Sequence, residues 1–144
     1  MLVRTLYGIG QSISNDKGRT WEQSGPSGIR HPVTRFFIRR LRSGRLLMIR
    51  HNPPLIRFRS HLTAYASDDD GRSWYGGLML DERIGVSYPD GIEAASGKIY
   101  VIYDRGRNTD REILMATFTE EDVTRAACVT ANCHLRLMIN KGAD

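Results

Sequence analysis

The chain has 144 residues, with 21 Lys and Arg against 16 Asp and Glu, for a formal charge of +5. At 40% hydrophobic and 26% charged it has an ordinary globular composition, which excludes general disorder, and its length gives room for one domain with one modest core. The longest plainly aliphatic run, Leu46-Leu47-Met48-Ile49, is far too short to span a membrane. Met1-Leu2-Val3-Arg4-Thr5 has no cationic stretch leading into a long apolar core, so no secretory signal is read there and the compartment stays open.

Fourteen Gly and five Pro make a turn-rich chain, which favours β structure. Strands are predicted in chain order over Phe36–Leu41, Leu46–Arg50, Leu62–Ser67, Lys98–Tyr103 and Arg111–Phe118, all rich in β-branched, aromatic or aliphatic residues. Turn signals separate them at Ser43-Gly44, Asn52-Pro53-Pro54, Asp70-Gly71, Pro89-Asp90-Gly91, Ser96-Gly97 and Arg105-Gly106. One short helix is predicted from Thr119, an N-cap residue followed by Glu120, Glu121 and Asp122 in the first turn. Tyr100 and Tyr103 fall on opposite faces of one strand and are expected to pack.

Cys128 and Cys133 are too few for a disulfide framework, and one bridge between them or two free thiols both fit. With His134 they fall short of a closed four-ligand zinc site. No metal and no cofactor is expected.

One motif occurs twice. Ser14-Asn15-Asp16-Lys17-Gly18-Arg19-Thr20-Trp21 and Ser67-Asp68-Asp69-Asp70-Gly71-Arg72-Ser73-Trp74 share the pattern S-x-D-x-G-R-[ST]-W. Their tryptophans stand 53 residues apart, the length of one propeller blade. The Asp is suited to accept backbone N–H bonds in a tight turn, and the Gly to take a backbone conformation other residues resist. The Trp is expected to fold under the hairpin and anchor it by burial. A turn held by its own hydrogen bonds has little left to offer a ligand, so the motif specifies architecture rather than chemistry.

These boxes resemble the Asp boxes, or BNR repeats, of the sialidase superfamily, and the chain looks like the C-terminal part of a bacterial protein of that kind. The resemblance is carried by Met1–Gly10 before the first box, by Arg59–Ala66 before the second, and by Val86-Ser87-Tyr88-Pro89-Asp90-Gly91 followed by Gly97–Asp104. It implies an all-β fold: a partial six-bladed β-propeller, roughly its last two to three blades. Residues 1–144 would form a single partial propeller domain, with boxes at 14–21 and 67–74 and the last blade over about 86–139. It further implies an exo-α-sialidase type of glycoside hydrolase acting on sialic acid or a related acidic sugar. Arg4 and Arg59 resemble two arginines of the family's carboxylate-binding triad. Tyr88 resembles its tyrosine nucleophile, 29 residues after Arg59.

The chemistry suits these residue types. Guanidinium forks bind a carboxylate with two parallel hydrogen bonds. A neutral tyrosine escapes the repulsion that an anionic nucleophile would feel from a carboxylate on the anomeric carbon, and sialidases are the tyrosine exception among glycosidases. The family's third arginine, its aspartic acid/base and the glutamate that activates the tyrosine lie N-terminal to the position of Arg4, which only Met1, Leu2 and Val3 precede here. The chain is therefore expected to be a truncated frame and inactive by itself. A noncatalytic glycan-binding propeller is the alternative. Arg35, Arg39, Arg40, Arg42, Arg45 and Arg50 raise a third reading, a nucleic-acid patch. They lack regularly interleaved aromatics, so no nucleic-acid partner is expected, and neither is a membrane span. Asp90 is left off the site as the capping residue of a Pro-Asp-Gly turn.

Overall fold

The structure, a computed structural model, describes residues 1–143. It is all-β apart from one helical turn, with three antiparallel sheets that follow one another along the chain. The first sheet holds β1 (Leu2–Thr5), β2 (Gly8–Gln11) and β3 (Gly25–Pro26). The second holds β4 (Phe37–Arg40), β5 (Leu46–His51), β6 (Leu62–Ser67) and β7 (Tyr75–Asp81). The third holds β8 (Val86–Glu93), β9 (Ile99–Arg105), β10 (Glu112–Phe118) and β11 (His134–Lys141), in the order β11-β10-β9-β8.

Period-two burial builds the core. In β9, Ile99, Val101 and Tyr103 are buried while Ile102 faces outward, 46% exposed. The inward residues join Leu114, Ala116 and Phe118 of β10 and meet Leu47, Ile49, Leu62, Ala64, Leu78 and Leu80 of the second sheet in one cluster. Burial of this apolar area at about 25 cal/mol per Å² is the main force holding the second and third sheets together. At the cluster's edge the fully buried carboxylate of Asp81 accepts from Arg83 Nη2 at 2.6 Å and from the Tyr103 hydroxyl at 3.2 Å. Arg83 and Arg105 then share Glu112, at 3.3 and 3.0 Å. A buried carboxylate is tolerated only when paired in this way.

The helix α1 (Glu120–Arg125) starts at Thr119 as predicted, with a full capping box between Thr119 and Asp122. Asp122 also accepts from the Val129 and Thr130 backbone amides, both at 2.8 Å, and so ties the loop after the helix to its first turn. Cys128 and Cys133 in that loop form a disulfide.

Both boxes fold as the motif demands. Asp16 accepts from the amides of Arg19 (2.9 Å) and Thr20 (2.8 Å), and Asp69 accepts from the Ser73 amide (2.9 Å). Gly18 and Gly71 take φ of +88° and +85°, the left-handed region open to glycine. These bonds hold each carboxyl down at a pKa of about 2, the Thr20 hydroxyl leading for Asp16 and the Ser73 hydroxyl for Asp69.

Two expectations are corrected. Trp21 is not buried: it is 47% exposed, lies over Gly18 and donates Nε1–H to the Gly18 carbonyl at 3.1 Å. Trp74 is half-buried, over Gly71 and near Leu46. The tryptophan covers its own turn because the box bonds fix the chain direction without it. Pro89-Asp90-Gly91 is not a turn between strands: it lies within β8, where three steps from Ser87 to Asp90 face two steps of β9 from Asp104 to Ile102. The extra residue makes a β-bulge, and Asp90 pairs with Arg35 at 3.2 Å.

Candidate functional site

The β8 bulge presents Tyr88. Its backbone sits at φ +51°, a conformation that costs a non-glycine residue about 1–3 kcal/mol and gathers at functional positions. Pro89 behind it cannot donate to the ladder, so the strand opens there. The side chain is 36% exposed.

Arg4 of β1 pairs with Ile9 across the first hairpin and lines one cavity with Tyr88. That cavity, about 530 Å³, is completed by Leu2, Arg35, Phe36, Phe37 and Ile38. It therefore lies where all three sheets converge, and the exposed Arg35–Asp90 ion pair stands at its side. Arg4 and Tyr88, 84 residues apart in the sequence, line the same cavity.

Arg59 is placed differently. It lies in the β5–β6 loop, where its carbonyl accepts from the Gly85 amide at 2.9 Å, and its Nη1 donates to the Ser87 hydroxyl at 3.3 Å. It does not line the Arg4–Tyr88 cavity. It lines one with Ser87, Asp104, Arg107, Asn108 and Thr109, and a second with His31. The guanidinium that stacks on Tyr88 is that of Arg107, its central carbon 4.3 Å from the ring centroid. Asp104 holds that guanidinium through Nε at 3.0 Å. The Arg107 and Arg4 guanidiniums beside the hydroxyl hold the phenol below the usual tyrosine range, Arg107 contributing most.

Arg107 was not singled out from the sequence. The matching segment Gly97–Asp104 stops three residues short of it, and its relation to Tyr88 is made by the β8–β9 pairing, which brings Ser87 opposite Asp104. Of the six arginines in the basic stretch, Arg40 pairs with Asp70 and Arg45 with Asp68, both at 2.6 Å, while Arg35 pairs with Asp90. Arg50 stacks on Tyr65 at 4.3 Å. Among the described residues no group of three or more His, Cys, Asp or Glu could hold a metal ion, and no helix is long and apolar enough to cross a membrane.

Sequential antiparallel sheets stapled by twin Asp-box turns, with an arginine-flanked tyrosine where they converge, define an Asp-box repeat protein. Residues 1–101 match the BNR repeat-like domain, and the chain belongs to that family. No curated protein and no solved structure matches it.

Proposed function

We propose that the chain is part of a sialidase-like β-propeller, its three sheets acting as consecutive blades, and that it binds the carboxylate of sialic acid or a related acidic sugar. The observation that carries this reading is the placing of two guanidiniums at Tyr88, with Arg4 sharing its open cavity and Arg107 stacked on its ring. Such a pair forms charge-assisted hydrogen bonds with a carboxylate, and its bidentate geometry is one that lysine cannot reproduce. Arg59, bonded to the Ser87 hydroxyl and lining a separate cavity with Arg107, supplies a third positive charge next to this one. Phe36 and Phe37 give the cavity an apolar wall for a sugar ring's C–H face.

In a complete enzyme of this type the Tyr88 oxygen attacks the anomeric carbon. Its proton passes to a base, the bond to the leaving-group oxygen breaks, and an acid protonates that oxygen. Two carboxylates beside the site, Asp90 on β8 and Asp104 on β9, are engaged by Arg35 and Arg107. This favours binding without cleavage by this chain. A noncatalytic glycan-binding role is the second reading, and the same two ion pairs support it.

The experiment is equilibrium binding of N-acetylneuraminic acid, with Arg4→Leu and Tyr88→Phe as variants, beside a fluorogenic sialoside assay. Saturable binding weakened about tenfold by Arg4→Leu, the loss of one charged hydrogen bond, is the expected result. Cleavage of the sialoside that disappears in Tyr88→Phe would overturn the inactive assignment. Absence of binding would remove the carboxylate site altogether.

A further inference from the structure

Two turns stand at the same end of the first and second sheets. In the first sheet Thr5 pairs with Gly8, which leaves Leu6 and Tyr7 as the two-residue turn between β1 and β2. In the second, the Phe58 amide donates to the Leu55 carbonyl at 3.1 Å and makes Ile56 and Arg57 the centre of a turn in the β5–β6 loop. β2 and β6 start from these turns and lead to the two Asp boxes, so the boxes lie at the opposite ends of the same strands.

The turns are apolar and exposed. Leu6 is 92% exposed and Leu55 54%, with Tyr7, Val33 and Ile56 exposed beside them. Leu6, Tyr7, Val33 and Ile56 share the lining of a cavity of about 470 Å³ with Arg57 and Arg59, so both turns belong to one continuous surface. Arg30 joins it, donating from Nη2 to the Pro54 carbonyl at 2.8 Å. The charge here is of one sign. Nine arginines and no Asp or Glu lie between Glu22 and Asp68, and no acidic residue precedes Asp16. No ion pair among the described residues draws on Arg30, Arg57 or Arg59. At the far ends of the strands the boxes supply Asp16, Asp68, Asp69 and Asp70, so the two sheets are polarised along their strands.

A contiguous set of exposed apolar side chains marks a binding surface, and a partner here must meet hydrocarbon and cation together. A nucleic acid offers phosphates without hydrocarbon, whereas a lipid interface offers acyl chains beneath a layer of anionic head groups. The arginine stems are long enough to keep their charge among the head groups while the turn tips go deeper. We propose that this end of the molecule docks onto an anionic lipid surface. Leu6, Tyr7, Leu55 and Ile56 enter the head-group layer, and Arg30 and Arg57 pair with lipid phosphates and carboxylates. The docking needs no sugar and is independent of the carboxylate site at Tyr88.

The test is sedimentation of the whole chain with vesicles of phosphatidylcholine alone, and of phosphatidylcholine with an equal part of phosphatidylserine. Binding to the mixed vesicles only, weakened by salt, is expected. Leu6→Ser combined with Leu55→Ser should lower the partition coefficient at least about tenfold, and Arg57→Gln about fivefold. All three side chains are exposed, so the fold does not depend on them. Leu6→Trp puts a fluorophore at the tip, which a brominated lipid is expected to quench while sparing Trp21 and Trp74 at the boxes. No binding to the mixed vesicles overturns the inference. Binding that the serine pair leaves unchanged overturns it too, and equal affinity for duplex DNA or polyglutamate would then assign the surface to a soluble polyanion. Quenching of Trp21 and Trp74 in place of the new tryptophan would put the boxes on the lipid and defeat the proposed orientation. The vesicles hold no sialic acid, so each of these results stands apart from the outcome at Tyr88.

Discussion

Arg107 stands over Tyr88 with its guanidinium carbon 4.3 Å from the ring centroid, while Asp104 grips the same guanidinium through Nε at 3.0 Å. The carboxylate thus orients a cation, and the cation sets the surroundings of a phenol. Three consecutive levels of this arrangement hang on the β8 bulge, which turns Tyr88 out of the ladder towards Arg4 and Arg107.

Tyrosine titration reads this directly. The difference between the wild-type curve and that of Tyr88→Phe isolates one phenol, which is expected to ionise below an ordinary tyrosine. Tyr103 is expected to ionise last, because burial and then Asp81 push it upward. Arg107→Leu should move Tyr88 up and Arg107→Lys should recover part of the shift. An unchanged Tyr88 curve in Arg107→Leu would show that the stacked cation has no electrostatic effect there.

Acid should destabilise the fold in two windows. Burial lowers His31 to about 3 and His51 to about 4, from 6.5. Between those values and 6.5 the unfolded chain holds more protons than the folded one, so stability falls as the pH drops below about 6.5. Asp16 and Asp69, lowered from 3.8 to about 2, contribute stability that is present above 3.8 and lost as the pH falls through 2. Urea midpoints at pH 7 and pH 5 check the first window: a fall is expected in the wild type and a smaller one in His31→Gln. Equal wild-type midpoints would refute buried neutral histidines.

Gly76 has φ +78°, and a Cβ there would collide with the Val123 carbonyl of α1. Gly76→Ala should cost at least about 1–3 kcal/mol from backbone strain alone, with the collision added. Gly77 has φ +129° and meets only Tyr65 at 3.5 Å, so Gly77→Ala should cost less. Chemical denaturation of the two variants measures the gap, and a larger loss at Gly77 would contradict the packing of α1 on β7.

The Cys128–Cys133 bridge closes a loop with a sequence separation of 5. Loop-closure entropy for so short a ring is worth roughly 2 kcal/mol. Reduction should lower stability by about that amount and leave the β10–β11 pairing intact, since Asp122 still holds the Val129 and Thr130 amides. Amide exchange in β11 before and after reduction tests this; rapid exchange throughout β11 on reduction would mean that the bridge, rather than Asp122, holds the strand.

What could be read from the sequence was local. The box turns, the strands at Leu62–Ser67 and Leu46–Arg50, and the Thr119 cap follow from residues within a few positions of one another, and the structure reproduces them. The β8 bulge was hidden because Pro-Asp-Gly reads equally as a turn, and only pairing with β9 decides between them. The exposure of Trp21 depends on what lies beside the first sheet, which the motif does not encode. Arg107 escaped notice for the same reason, since it meets Tyr88 across a strand pair.

In each Asp box the bonds that shape the turn, Ser14–Asp16–Thr20 and Ser67–Asp69–Ser73, close within the box itself. Such a segment carries its own folding instructions. When a gene duplicates it, the copy arrives with its turn already specified, whatever sheet receives it, and the surrounding strands are free to diverge in sequence and ligand. Modularity at the level of eight residues is thus a route by which one hairpin becomes an array.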